Sequence, residues 1–199
     1  MGRRSVHTPE ELREHILNAA TELITASGLS GLSAREVARR IGYSPGTIYN
    51  VFVNLDDLLL TIEARMLDQL AASLESLTAS QNPRENLLQL AHAYLDYTHA
   101  NPRLWNLLFE HHLPAGVDVP PEYREKLEGL LSRIEDALRP LTKTSDEDEL
   151  KRHARVLWAG VHGITSLSTA DKLSSITAES AWPLVKDLVE TYLDGLTNR

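Results

Sequence analysis

Apolar residues recur along most of this chain at three- and four-residue intervals, the period of a helix with one buried stripe. Thr8, Pro9 and Glu11 form a start signal, and Leu12, Ile16, Ala20, Leu23 and Ile24 then mark one helical face as far as Gly28. Ser33 with Glu36 three residues on is a capping box, which predicts a second helix from Ala34 that buries Val37, Ala38 and Ile41 and stops at Gly42. Ser44 before Pro45 opens a third, because Pro in the first turn loses no needed N–H and Ser can satisfy the free donors. Ile48 and Phe52, four apart, are predicted to face the second helix, and a turn of about three residues between the two is within the helix-turn-helix range.

A fourth helix from Asn54 carries Leu58, Leu59, Ile62, Met66, Leu70, Leu74 and Leu77, and ends near the polar stretch from Thr78 to Gln81. Its length takes it out of the head. Asn82-Pro83-Arg84 and Asn101-Pro102-Arg103 are two matching helix starts, each with an Asn cap and Pro at the first position. The stretch from Leu113 to Pro121, with three prolines and Gly116, is the clearest loop, and a further helix is predicted from Pro121 to about Arg139. Leu150, Ala154, Leu157, Trp158, Val161, Ile164 and Leu167 define the next helix. Val185, Leu188, Val189, Tyr192, Leu193 and Leu196 define the last, which should begin near Ser180 so that Pro183 falls in its first turn. Ala159, Gly160 and Gly163 are small, and a helical Gly costs about 1 kcal/mol against Ala, so close packing is expected there. The expected fold is all-α: a three-helix head with a helix-turn-helix in residues 1–55, joined by the long helix to a helical bundle in residues 56–199.

The helix from Pro45 leaves Ser44, Gly46, Thr47, Tyr49, Asn50 and Val53 facing outward. On a helix whose N-terminus enters the major groove, Gly46 permits close approach, Thr47 can touch a phosphate or a thymine methyl, and Asn50 has the amide geometry for adenine. Tyr43 and Tyr49 can donate hydroxyls to phosphates, Ser33 and Arg35 lie at the start of the preceding helix, and Arg3 and Arg4 form a basic arm able to enter the minor groove. The alternative is a helical hairpin whose head binds protein instead of DNA.

These residues carry a specific resemblance. The capped helix with Val37-Ala38 and Ile41-Gly42, then Gly46-Thr47-Ile48-Tyr49 and Phe52, then Leu58-Leu59, is similar to the DNA-binding head of the tetracycline-repressor (TetR) family of bacterial transcription regulators. The similarity is close over roughly residues 8 to 60 and general beyond. Many members carry Lys before the acidic pair that opens the fourth helix. Leu55 stands there in this chain, so one phosphate contact common in the family lacks its residue, while Asn54 and Asp57 can still cap the helix. The resemblance implies a homodimer in which the last two helices of each subunit form a four-helix bundle, with Leu157, Gly160, Ile164, Leu188 and Tyr192 as interface candidates. It implies a repressor released from a palindromic double-stranded DNA operator by a small molecule bound in the body. Trp158, His162 and Gly163 also resemble the WHG-type regulatory body found in part of the family.

Composition narrows the picture. With 199 residues the chain makes one or two domains, and hydrophobic residues at 42 % and charged residues at 24 % are ordinary globular values. No cysteine is present, which excludes disulfides and thiolate metal sites and is compatible with a reducing cytosol. There is no apolar run long enough to span a bilayer, no signal-peptide core, and no Ser or Thr at position 6 for a myristoylation signal, so the expected location is cytoplasmic. The net charge of −8 is unevenly distributed. Residues 1–55 hold six Arg and five Glu, so the acidity belongs to the rest of the chain and the head is not one that coats DNA by charge alone.

In the body, Tyr94, Tyr97, Trp105, Phe109, Trp158 and His162 are the candidate ligand-binding set: apolar walls with a few polar groups. For any single aromatic, core packing is the stronger reading, and the pocket rests on the set and on the resemblance. The eight histidines include no pair four apart, the usual helical metal spacing, and His111-His112 are adjacent, so satisfied or surface histidines are the expectation, with no metal site and no cofactor, and a site formed between helices is the alternative. No nucleophile elbow, P-loop or dinucleotide fingerprint is present, and the acidic clusters at Asp56-Asp57 and Asp146 to Glu149 read as helix-start charges, so an enzyme is not expected.

Overall fold

The computed structural model describes residues 7–197, and among them are nine α-helices and no strand. They are α1 (Pro9–Ser27), α2 (Ala34–Ile41), α3 (Pro45–Tyr49), α4 (Leu55–Glu75), α5 (Pro83–Ala100), α6 (Pro102–Glu110), α7 (Pro121–Leu138), α8 (Glu147–Thr169) and α9 (Ala181–Thr197). This is the all-α architecture expected, and helix starts follow the Pro and cap signals within a residue or two. The chain forms two units, one from the described residues up to Met66 together with Arg103–Val119, the other from Leu67–Pro102 and Pro120 onward.

In the first unit, α1 opens on a reciprocal capping box: Glu11 N–H donates to Thr8 Oγ1 at 3.2 Å and Thr8 N–H donates to Glu11 Oε2 at 2.8 Å. That backbone donor holds the exposed Glu11 carboxyl below its ordinary value. The box expected at α2 is only half made. Ser33 Oγ accepts from Glu36 N–H, but the Glu36 carboxylate turns to Arg39, which offers two charge-assisted hydrogen bonds in place of one to a backbone amide. Gly42 ends α2 in the left-handed region at φ 76°, a conformation that costs Gly little and other residues more. Ser44 does not cap α3 as expected, because its hydroxyl lies 3.2 Å from Thr47 Oγ1 and makes no bond to a helix N–H.

Helix α3 is shorter than its apolar spacing implies. It ends at Tyr49 with Asn50 as C-cap, so Phe52 lies in the following turn. Phe52 is nevertheless buried, with the Arg13 guanidinium 4.3 Å from its ring centroid, a cation–π contact worth about 0.5–1 kcal/mol. Asn54 Oδ1 accepts from Asp57 N–H and Asp57 Oδ2 from Val53 N–H, so the pair expected to cap α4 does so. The boundary differs from the expected 55/56 division, since this unit keeps α4 as far as Met66 and includes α6. Arg103 at the start of α6 donates to the carbonyls of Thr25 and Ala26, which the last turn of α1 leaves without helical partners.

The second unit packs α5, α7, α8 and α9 on one another around Leu87, Leu95, Leu138, Leu150, Leu157, Val161, Val185 and Leu193. At Gly160 an added Cβ would lie 2.8 Å from Leu188 Cδ2, so α8 and α9 approach closely there, whereas a Cβ at Gly163 would meet nothing within 4 Å and Ala159 and Gly163 are exposed, so the close packing expected of the three small residues holds at Gly160 alone. Pro183 falls in the first turn of α9.

Candidate functional site

Around α3 the first unit exposes mostly polar residues, together with the apolar Val53 at 85 %. Ile48 is buried and fixes the helix, while Ser44, Gly46, Tyr49 and Asn50 are exposed and Tyr43 and Thr47 half-buried. A Cβ at Gly46 would meet only Ser44 Oγ, at an ordinary 3.8 Å, so packing within the chain does not require glycine here and the missing side chain leaves room for an approach from outside. Tyr43 is held from α1's entry, its hydroxyl 2.7 Å from His7 Nδ1, and the His7 and His15 rings lie 4.4 Å apart. Sequence reasoning missed both histidines: His7 and Tyr43 are 36 residues apart, and no periodic pattern joins them.

The head's arginines divide by partner. Arg39 pairs with Glu36 and Arg40 with Glu22, while Arg13 is taken up by Phe52 and by Thr61 Oγ1. Arg35 is exposed and has no ion pair among the described residues. Ser33 is exposed with its hydroxyl committed to the α2 cap. Arg3 and Arg4 lie outside the described residues.

The candidate ligand residues fall in two places. In the second unit, Tyr94 on α5 and His162 on α8 meet with the Tyr hydroxyl 2.8 Å from Nδ1, and Trp158 stacks on the His162 ring at 5.3 Å and 10°. Burial lowers the His162 pKa below 6.5, because the charged ring is the poorly solvated form. Tyr97 on the same helix as Tyr94 donates to Gln69 Oε1 at 3.3 Å, and burial pushes its hydroxyl up to about 12. Trp105 and Phe109 belong to the first unit instead, on α6 with ring centroids 6.1 Å apart.

Of the interface candidates, Leu157 is buried in its own chain, Gly160 receives Leu188, Ile164 packs on Leu95, Leu173 and Ala181, and the Tyr192 hydroxyl is 2.8 Å from His153 Nδ1. The exposed face of α8 is formed by their neighbours Val156, Ala159, Gly163 and Leu167, spaced as one helical stripe. Among the described residues no group of three or more His, Asp or Glu is arranged for a metal ion, and no helix is long and apolar enough to cross a membrane.

The model of bacterial regulatory proteins of the tetR family matches residues 16–62, and that of the tetracyclin repressor-like C-terminal domain matches residues 87–192. The chain belongs to the TetR family. It is a helix-turn-helix transcriptional regulator of a DNA-binding, non-enzymatic class. Among curated relatives of this TetR-family chain, the uncharacterized HTH-type transcriptional regulator Rv0681 of Mycobacterium tuberculosis is 24 % identical over 197 residues, 98 % of this chain and 87 % of that one. The HTH-type transcriptional activator FasR of Mycolicibacterium smegmatis is 24 % identical over 158 residues, 78 % of this chain and 69 % of that one. A protein of unknown function from Rhodococcus sp. RHA1 shares the fold with TM-score 0.75 at 23 % identity, covering 98 % of this chain and 99 % of that one. Thermus thermophilus FadR, a repressor solved in complex with lauroyl-CoA, has TM-score 0.66 at 23 % identity, covering 92 % and 94 %.

Proposed function

We propose that this TetR-family regulator is a repressor that binds a palindromic operator as a homodimer and is released by a small molecule held in its second unit. The observation that carries the reading is the α3 face: a buried Ile48 behind Thr47, with Gly46, Tyr49 and Asn50 outward and Tyr43 anchored beside them. Two such faces related by a two-fold axis read half-sites about 34–36 Å apart or a multiple of that. Support for the dimer comes from the Val156, Ala159, Gly163 and Leu167 stripe on α8, an apolar surface suited to a second copy. The Tyr94, Trp158 and His162 group, with Tyr97 nearby in sequence, offers aromatic walls and polar atoms for a ligand. A coupling of about 1–3 kcal/mol between the two sites changes operator affinity about 5- to 150-fold, enough to switch a promoter.

The test is fluorescence anisotropy on DNA from upstream of the protein's own gene and on scrambled DNA, across a salt series, with a random-sequence selection if the first fragment binds weakly. Specific binding by two or more chains per site is expected. Thr47→Ala and Tyr49→Phe should each weaken it while the thermal transition stays in place, and unchanged affinity in both would remove the α3 assignment. Long-chain acyl-CoAs form the first ligand panel, since a fold neighbour holds lauroyl-CoA; release of DNA by a compound should be lost in Trp158→Ala.

A further inference from the structure

Lys151, Arg152 and Arg155 of α8 line an open groove of about 500 Å³ together with Asp148, Val156 and Ala159, and the groove runs on into the exposed Val156, Ala159, Gly163 and Leu167 stripe. Arg155 is held in place there. Its Nη1 donates to Glu135 Oε1 of α7 at 3.2 Å and to Lys151 O at 3.0 Å, and its remaining N–H groups have no partner among the described residues. Helix α9 carries the opposite charge. Lys186 and Glu190 pair with each other and Asp194 pairs with Arg84, whereas the exposed Asp187 makes no ion pair among the described residues. Beside Asp187, Leu184, Leu188, Thr191 and Gly195 fall on one helical stripe, half-buried at the two leucines and exposed at the other two.

Arg155 and Asp187 do not meet within one chain. Leu188 lies against Gly160 and Tyr192 against His153, so α8 and α9 run antiparallel with Asp187 about level with Gly160. Arg155 is about 7.5 Å along α8 from that level and about 140° round the helix from the face that meets α9. A second copy removes the obstacle. A two-fold axis that joins the apolar stripes of two copies lays α9 of the partner on the side of α8 turned away from its own α9, with Val156, Gly163 and Leu167 facing the bundle interior. An axis along the helices leaves Asp187 of the partner subunit at the level of Gly160, and an axis across them at Ala159 carries it to the level of Trp158. In both arrangements Arg155 and that aspartate lie on the outer edge of the same seam, within the combined reach of their side chains.

We propose that the α8 groove receives Asp187 of the partner subunit, whose carboxylate pairs with Arg155, so that two symmetry-related ion pairs set the register of the dimer and select a second copy of this chain as its partner. The pairing rests on the homodimer reading above. Apolar stripes alone can slide past one another, whereas charges at the edge of a helix seam fix orientation and partner choice more than they add affinity. Glu135 holds the guanidinium from behind, so little side-chain freedom is lost when the carboxylate arrives.

Sedimentation equilibrium of the full-length protein at low salt tests the pairing. Arg155→Glu and Asp187→Arg each put two like-charge contacts into a homodimer and should each weaken dimerisation about 10-fold or more, with helicity retained. Raising the salt should shrink the gap between wild type and either variant. The decisive sample is an equimolar mixture of the two. A dimer of one variant with the other has opposite charges at both contacts, so the mixture should associate about as tightly as wild type, whereas an ion pair within one chain gains nothing from mixing. If Arg155→Glu fails to fold because it faces Glu135, then Arg155→Gln, Asp187→Asn and their double variant serve instead: the double should be no weaker than the worse single, and additive losses overturn the pairing. Variants that dimerise like wild type, or a mixture no tighter than either variant alone, also overturn it and leave the homodimer standing. A wild-type dimer unmoved by both reversals, with inorganic phosphate bound by wild type but not by Arg155→Glu in phosphorus-31 NMR, would make the groove an anion site and overturn the pairing likewise. Wild-type protein that is monomeric at every concentration sinks the homodimer reading, and the pairing with it.

Discussion

Arg35→Ala separates charge from shape at the head. Arg39 and Arg40 already face Glu36 and Glu22, and Arg13 covers Phe52, whereas Arg35 is exposed with no ion pair among the described residues. An arginine that neutralises one phosphate of duplex DNA releases its counterion and contributes about 0.9 to the slope of log affinity against log salt. A dimer brings two copies, so the variant should lose about 1.8 from that slope. Raising salt from about 50 to about 200 mM then shrinks the wild-type advantage about 12-fold. The assay is the anisotropy titration described above, run at four or more salt concentrations on operator and on scrambled DNA, since a phosphate contact acts alike on both. An exposed substitution of this kind shifts stability by no more than about 0.5 kcal/mol, so the melting curve serves as a control. Tyr43→Phe is the companion variant: a neutral hydroxyl releases no counterion, so its loss should lower affinity at unchanged slope. Equal slopes for Arg35→Ala and wild type would refute the phosphate contact whatever the change in affinity.

Phe52→Ala should cost about 3–5 kcal/mol for the buried ring, with about 0.5–1 kcal/mol more for the Arg13 contact, measured by urea unfolding; a loss below about 2 kcal/mol would show that the turn collapses onto the gap. His162 has a pKa lowered by burial, so as pH falls below its ordinary 6.5 the unfolded chain takes up a proton that the native ring resists, and stability present above that pH is lost on acidification. His162→Gln should flatten this part of the stability profile, and parallel profiles would contradict the burial account. Val156→Arg puts a charge on the exposed α8 stripe and should yield monomers in sedimentation with helicity retained; a stable dimer would place the interface elsewhere.

What the sequence made legible is local. The α1 capping box, the left-handed Gly42, the Asn54 and Asp57 cap and the Pro-led starts of α3, α5, α6 and α7 each depend on residues within about four positions, where backbone chemistry alone selects the conformation. The errors are also local competitions. Glu36 found a charged partner at Arg39, and Ser44 met the Thr47 hydroxyl, so neither completed the cap its type allowed. Helix α3 ended before Phe52 although the four-residue spacing fits a helix, because a buried ring can reach the same core from a turn.

The candidate sites were legible only as residue types, and their grouping depended on distant partners. Tyr94 and His162 are 68 residues apart, and His111 and Glu63 are 48 apart, and no periodicity predicts which imidazole meets which acid or hydroxyl. The same limit explains the division of the chain. Read along the sequence, α6 belongs with the body helices that flank it, and its Trp105 and Phe109 read as pocket walls. Arg103 on the end of α1 and His111 on α4 place it in the head's unit instead, one contact satisfying helix carbonyls and the other a buried carboxylate. Both contacts meet polar needs that hydrophobic patterning does not register, which is why an apolar reading finds the α6 helix but not the unit its contacts group it with. It follows that residues on α6 should be assayed first for effects on head stability and DNA binding, and those on α5 and α8 for effects on ligand response.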